Sequence, residues 1–225
     1  KLTVDRYRDS EKARWDAFVN GAKNATFLFC RDYMDYHRDR FADHSLIISR
    51  GTEVAALLPA NVGPQGTLVS HQGLTYGGLV VSRAATLCEV LACLQAALSY
   101  LEAQKIEKLI YKRIPTFYNT LPDHEVDYAF FLLEARVCRR DCALVVPMAD
   151  RLRFRHGRKL QIRKATRHGV RAVQDTSFRP FWEQVLVPRL ASKHGVKPVH
   201  SLEEITLLAS RFPDNIKPFS VYDSD

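Results

Sequence analysis

The chain has 225 residues, of which 46% are apolar and 26% charged; this balance supports a packed core and excludes wholesale disorder. The length suits one large domain or one and a half medium ones, and no apolar run approaches the ~18 residues of a membrane span. Lys plus Arg is 33 against 25 for Asp plus Glu, a net charge of +8, and five cysteines without framework spacing fit a reducing, cytoplasmic setting rather than a disulfide scaffold.

The first predicted element is a strand over Leu2 to Tyr7, ended by Asp9-Ser10, either of which can cap the helix that carries Trp15, Phe18 and Val19. Asn20-Gly21 breaks that helix. A second helix is predicted from Arg31 to Arg40, with Tyr33, Tyr36 and His37 at helical spacing. Strands follow at Ser45–Ser49 and Val54–Pro59, turned at Gly51-Thr52. Residues 68–82 read as strand, glycine-punctuated turn and short extended run, after which Ser82 can cap a helix. Its Leu87, Val90, Leu91, Leu94, Leu98 and Leu101 form an amphipathic core stripe. Lys108–Lys112 is a strand ended by Ile114-Pro115. A helix from about Asp123 to Val137 is expected to bury Tyr128, Phe131 and Leu132, and Ala143–Val146 is expected to be a strand. Gly157 to His168 is predicted helical with Gly169 as terminator, and Val170–Val173 as strand. A helix from Phe178 to His194 should kink or restart at Pro188. Ser201 and Glu204 form a capping box for a last helix that ends before Pro213.

Two stretches of this pattern match. Arg40-Phe41-Ala42-Asp43 and Arg211-Phe212-Pro213-Asp214 each follow a helical region opened by a tryptophan, and each leads into an extended run. The chain thus begins one domain twice and completes it once, with a first lobe over 1–148, a basic connection over 149–171, and the start of a second lobe over 172–225. The competing reading of so short a match is chance.

The charge is concentrated. Residues 151–171 hold nine cations and no acid, which leaves 24 cations against 25 acids elsewhere. Such a segment attracts phosphate on nucleic acid, nucleotide or lipid headgroup; the bland alternative is a solvated helix joining two lobes.

Several chemistries are excluded by motif. Neither GxxxxGK[ST] nor GxGxxG occurs. Cys138 and Cys142 lack the second ligand pair of a zinc site and are expected to be buried or half-buried thiols; no metal is expected. No nucleophile elbow is present. Two constellations remain. In the turn after His71, Gly73, Gly77 and Gly78 would let backbone amides approach an anion, with His71 and Tyr76 alongside; alternatively the glycines only shape a bulged strand pairing. Residues 111–118 place aromatics and two cations, Lys112 and Arg113, at a strand end, with Tyr111 and Tyr118 among them; such groups together suit a nucleotide or sugar ring carrying phosphate, or else form an ordinary amphipathic strand.

Taken together, LLPAN (57–61), SHQGLTYGGLVV (70–81), YKRIPTFY (111–118), RKLQIRKATRHGV (158–170) and PVHSLEEITLLASRFPDNIK (198–217) resemble the FemABX-like branch of the GNAT acyltransferase superfamily. The resemblance implies an α/β fold of the α+β type: a GNAT-like mixed sheet flanked by helices, with two lobes in tandem and a cleft near their junction. It implies transfer of an acyl or aminoacyl group from acyl-CoA or aminoacyl-tRNA to an amine on a phosphorylated small molecule or cell-envelope precursor, with tRNA as a possible partner. Arg158, Arg163 and Lys164 would then clamp a phosphate. The acyl-CoA signature [QR]xxGx[GA] is absent from the first copy, and in the second it would lie past Asp225, so no catalytic base is carried over. Two other readings stay open: a phosphate- or nucleic-acid-binding module built on 151–171, and a degenerate GNAT-like scaffold.

Overall fold

The computed structural model describes residues 1–223 and divides into two compact units, Lys1–Ala135 and a second that begins at Arg136. In the first unit, β1 (Leu2–Arg6), β2 (Leu46–Arg50), β3 (Glu53–Leu58) and β6 (Val80–Val81) form an antiparallel sheet in the order β1-β2-β3-β6. A second, mixed sheet has the order β4-β5-β7, where β4 (Asn61–Val62) is antiparallel to β5 (Thr67–Ser70) and β7 (Lys108–Tyr111) is parallel to it. The helices of this unit are α1 (Lys12–Gly21), α2 (Arg31–Met34), α3 (Leu87–Ala103) and α4 (Glu125–Leu132).

The first sheet is apolar on both faces because helices cover both. Successive residues of a strand point to opposite sides. Leu46, Ile48, Ala56 and Leu58 therefore enter one core with Val90, Leu94, Ala97 and Leu101 of α3. Ile47, Leu57 and Val80 enter the other, with Tyr7, Trp15, Val19 and Phe29. Each fully buried aliphatic chain contributes roughly 1.5–3 kcal/mol, so this double-faced sheet holds most of the unit's stability.

One charge is buried inside the second core. The Arg31 guanidinium bonds Asp35 at 2.5 Å and Asp43 at 3.4 Å, and lies 3.7 Å from the centre of the Tyr7 ring. Two carboxylates and an aromatic face compensate its lost hydration.

The second unit contains α5 (His156–Arg167), β8 (Arg171–Gln174), α6 (Arg179–Phe181), α7 (Val187–His194), α8 (Leu202–Arg211) and β9 (Phe219–Tyr222). It repeats the opening of the first. As β1 pairs with β2 across two helical segments, β8 pairs antiparallel with β9 across α6, α7 and α8. In each unit a tryptophan indole N–H donates to a carbonyl two residues ahead of the helix that precedes the second paired strand: Trp15 to Phe29 O at 2.7 Å, ahead of α2, and Trp182 to His200 O at 3.2 Å, ahead of α8. Each tryptophan also meets an aromatic ring edge-on, Tyr7 at 5.4 Å and Phe178 at 5.9 Å.

Several elements depart from expectation. The predicted helix over 31–40 is only α2 followed by a 3-10 turn at Asp35–His37. The N-cap of α3 is Thr86, not Ser82, because Thr86 and Glu89 complete a capping box. Helix α4 stops at Leu132 and buries Val126 and Ala129, while Tyr128, Phe131 and Leu132 are exposed. Ala143–Val146 is not a strand, since no neighbouring strand accepts it among the described residues. Cys138 and Cys142 are exposed rather than buried. The helix does not restart at Pro188: it is irregular just before the proline, with a π turn at Trp182–Leu186, and continues through it as α7. The capping box at Ser201 and Glu204 is present as expected.

Two substitutions test this packing. Arg31→Met strands Asp35 and Asp43, and denaturant unfolding should show a loss of about 3–5 kcal/mol. A Cβ at Gly77 would lie 1.6 Å from the Ser70 carbonyl oxygen, a rigid backbone atom; Gly77→Ala should therefore yield a protein without a cooperative thermal transition, whereas Gly21→Ala, which meets open space, should retain one.

Candidate functional site

The two sheets of the first unit separate between β6 and β7, and the residues singled out in sequence converge there. At the point of separation, side chains replace strand pairing. The Tyr111 hydroxyl accepts the Leu79 N–H at 2.6 Å and Gly77 makes an isolated parallel bridge with Arg113, while within the second sheet the Lys112 N–H donates to Ser70 Oγ at 2.8 Å. Gly78, at φ +100°, lies directly over Tyr111, where a Cβ would approach the hydroxyl to 2.6 Å. The glycines of this turn thus permit close packing of backbone on backbone and backbone on ring.

His71 is buried and stacks on His37 with ring centres 5.5 Å apart. Its Nδ1 accepts the Gly73 N–H at 3.2 Å, which leaves the proton on Nε2. Burial, reinforced by His37, Arg31 and Lys112, pushes the imidazole down to about 3. It is neutral across the physiological range and too weak a base to take a proton from an amine. Lys112 Nζ donates to the carbonyls of His71, at 2.9 Å, and Leu74.

Tyr76 is buried with its hydroxyl 2.8 Å from Thr26 Oγ1, and its ring packs 5.1 Å from that of Tyr118. Tyr118 and its neighbour Phe117 are each 47% exposed, so they present the aromatic surface of this region to solvent. His71, Tyr76, Tyr111, Lys112 and Tyr118 are therefore one neighbourhood. Arg158, Arg163 and Lys164 belong to the second unit, all exposed on α5. Arg163 and Lys164 share a face with Leu160 and Arg167, at i, i+3, i+4 and i+7, while Arg158 lies about 140° around the helix from Arg163. Among the described residues, none of the nine cations of 151–171 makes an ion pair.

Sequence reasoning missed a polar network beside this neighbourhood. Asn24 donates from Nδ2 to Leu79 O at 2.8 Å and to Asp123 Oδ2 at 2.7 Å, and its Oδ1 accepts the Val81 N–H at 2.9 Å. Arg113 bonds the fully buried Asp123 at 3.2 Å and Asp127 at 2.7 Å, and Lys23 pairs with Glu125 at 2.5 Å. Of this network only Arg113 stood among the residues singled out in sequence; no motif marks Asn24 and Asp123, which lie some 100 positions apart. A surface cavity of about 360 Å³ lined by Leu87, Pro122, His124, Glu125 and Tyr128 adjoins the network and takes none of its lining from the glycine turn. Among the described residues, no three His, Cys, Asp or Glu side chains gather as a metal site.

Neither a family model nor a curated protein matches this sequence. Among solved structures, the chain is similar to the crystal structure of FemX, with a TM-score of 0.59 and 12% identity over 97% of this chain and 57% of FemX. It also overlaps a TTHA1254 variant from Thermus thermophilus (TM-score 0.37, 14% identity, 64% of this chain and 97% of that one). A transcriptional regulator from Bacillus halodurans overlaps to a similar extent (TM-score 0.35, 9% identity, 64% of this chain and 99% of that one). The likeness to FemX shows the fold: the chain has a FemX-like, GNAT-type α+β architecture and spans 57% of FemX's length.

Proposed function

We propose that this chain forms part of an N-acyltransferase or aminoacyltransferase. It would move an acyl or aminoacyl group from acyl-CoA or aminoacyl-tRNA to an amine on a phosphorylated cell-envelope precursor. The FemX-like fold along 97% of the chain carries this reading. The reaction is attack of a neutral amine on an activated carbonyl, with the leaving group departing from a tetrahedral intermediate and one proton lost from the amine. It requires no covalent enzyme intermediate. The two thiols of the first unit's interior support that route, because burial pushes Cys30 and Cys93 up to about 11 and keeps them protonated. His71, near 3, is not assigned the proton transfer.

Acceptor binding is assigned to α5. Arg163 and Lys164 are adjacent, exposed and without carboxylate partners among the described residues, so phosphate can engage both without displacing an internal bond. Tyr111 and Lys112, by contrast, commit their polar atoms to the turn and act as its scaffold.

The test is an assay of the native protein with each donor class and a phosphorylated amino-sugar precursor, read by mass spectrometry. The precursor should gain the mass of one acyl or aminoacyl group. The Arg163→Ala, Lys164→Ala double variant should raise the KM for the precursor about 10- to 100-fold, with a smaller change in kcat. No transfer from either donor class would overturn the proposal.

A further inference from the structure

Residues 144–155 combine two features that rarely coincide on a surface exposed only to water. Leu144 is 97% exposed, Met148 74%, Leu152 92% and Phe154 51%. Interleaved with the last two are Arg151, Arg153 and Arg155, none of which makes an ion pair among the described residues. The segment has no regular secondary structure and runs directly into α5, whose face of Arg163, Lys164 and Arg167 surrounds the half-exposed Leu160. Isolated exposed apolar side chains are ordinary, but a contiguous run of them marks an interaction surface.

The chemistry of the run selects its partner. Nucleic acid would use the cations, but it offers nothing to Leu144, Met148 and Leu152, because bases stack on aromatic rings and Phe154 is the lone aromatic of 151–171. A folded protein partner would have to supply a matching acidic surface for a stretch that lacks carboxylates from Arg151 to Arg171. An anionic lipid surface satisfies both halves at once. Its headgroup phosphates attract the arginines, and its acyl boundary accepts the aliphatic and aromatic side chains. No helix among the described residues is long and apolar enough to cross a membrane, so the contact is peripheral.

We propose that the segment 144–155 is a peripheral membrane anchor that docks the chain on anionic lipid, with Leu152 and Phe154 inserting and Arg151, Arg153 and Arg155 engaging headgroup phosphate. The inference stands on exposure and charge alone, independent of acyl transfer. Its residues are distinct from Arg163 and Lys164, so failure of one assignment leaves the other intact.

The test is flotation of the native protein with vesicles of equimolar phosphatidylglycerol and phosphatidylcholine, against vesicles of phosphatidylcholine alone. Binding should be confined to the anionic vesicles and should weaken as salt is raised, since the attraction reaches only about a Debye length. Arg151→Ala, Arg153→Ala, Arg155→Ala should lower the partition coefficient about 100-fold. Leu152→Ser, Phe154→Ser should lower it as well, while affinity for the phosphorylated precursor and for an oligouridylate stays unchanged. Because all five residues are exposed, circular dichroism of both variants should match the parent. Absence of flotation with anionic vesicles would overturn the proposal. So would an apolar double variant that floats as well as the parent, and competition by oligouridylate in that case would assign the segment to nucleic acid.

Discussion

An indole N–H delivered to one backbone carbonyl organises both units. Trp15 and Trp182 each reach the carbonyl just ahead of the helix that precedes the RFxD sequence, and each bond fixes where that helix starts. From those starts, Arg31 and Leu202, the chain runs the same number of residues to Arg40 and Arg211. The following strands then meet their antiparallel partners, β2 on β1 and β9 on β8. A buried N–H left unpaired would cost about as much as several favourable contacts return, so the tryptophan dictates loop path as well as packing. Each unit is thus organised around its own local bond, with its aromatic contacts and strand pair arranged around it.

A second constraint shapes the region where the sheets part. The outer edge of β6 would leave its peptide groups without partners inside the protein, a cost that buried backbone does not tolerate. The carboxamide of Asn24 mimics a neighbouring strand, accepting from Val81 and donating to Leu79. Its remaining hydrogen is fixed by Asp123, and Asp123 by Arg113. The same separation brings Tyr111 under Gly78 and Lys112 under two carbonyls. The neighbourhood of His71, Tyr76, Tyr111, Lys112 and Tyr118 is consequently a rigid wall whose solvent-facing part is aromatic, while the unpaired cations lie on α5 in the other unit.

Periodic and local signals were legible in sequence. The spacing of Val90, Leu94 and Leu101 identifies the buried face of α3, the Ser201 and Glu204 pair marks the start of α8, and the two RFxD sequences anticipate the repeated strand pairing. Long-range effects were not. Nothing in the short apolar run of 143–146 reveals that no strand lies beside it among the described residues, and an apolar run at 128–132 does not say which of its residues will meet a core. Asn24 could not be distinguished from a surface amide, because its role depends on Asp123 some 100 residues away. The basic segment was visible as charge, but its apolar companions became informative only once their exposure was known.

The π turn at Trp182–Leu186 has a consequence for the face of the helix that contains it. Val187 N–H bonds Trp182 O, a five-residue step where an α-helix takes four. This extra residue sits just before Pro188, whose ring would otherwise crowd the carbonyl of Gln184 and which has no N–H to give. One residue corresponds to about 100° of rotation, so absorbing it keeps side chains at four-residue spacing in line where an unbroken α-helix would let them drift around its surface. Phe178, Trp182, Leu186 and Leu190 are accordingly all half-buried on one face, while residues 183–185 and 187–189 are exposed. The first unit's α1, ten residues long, buries only Trp15 and Val19, a single four-residue step over which that drift stays small.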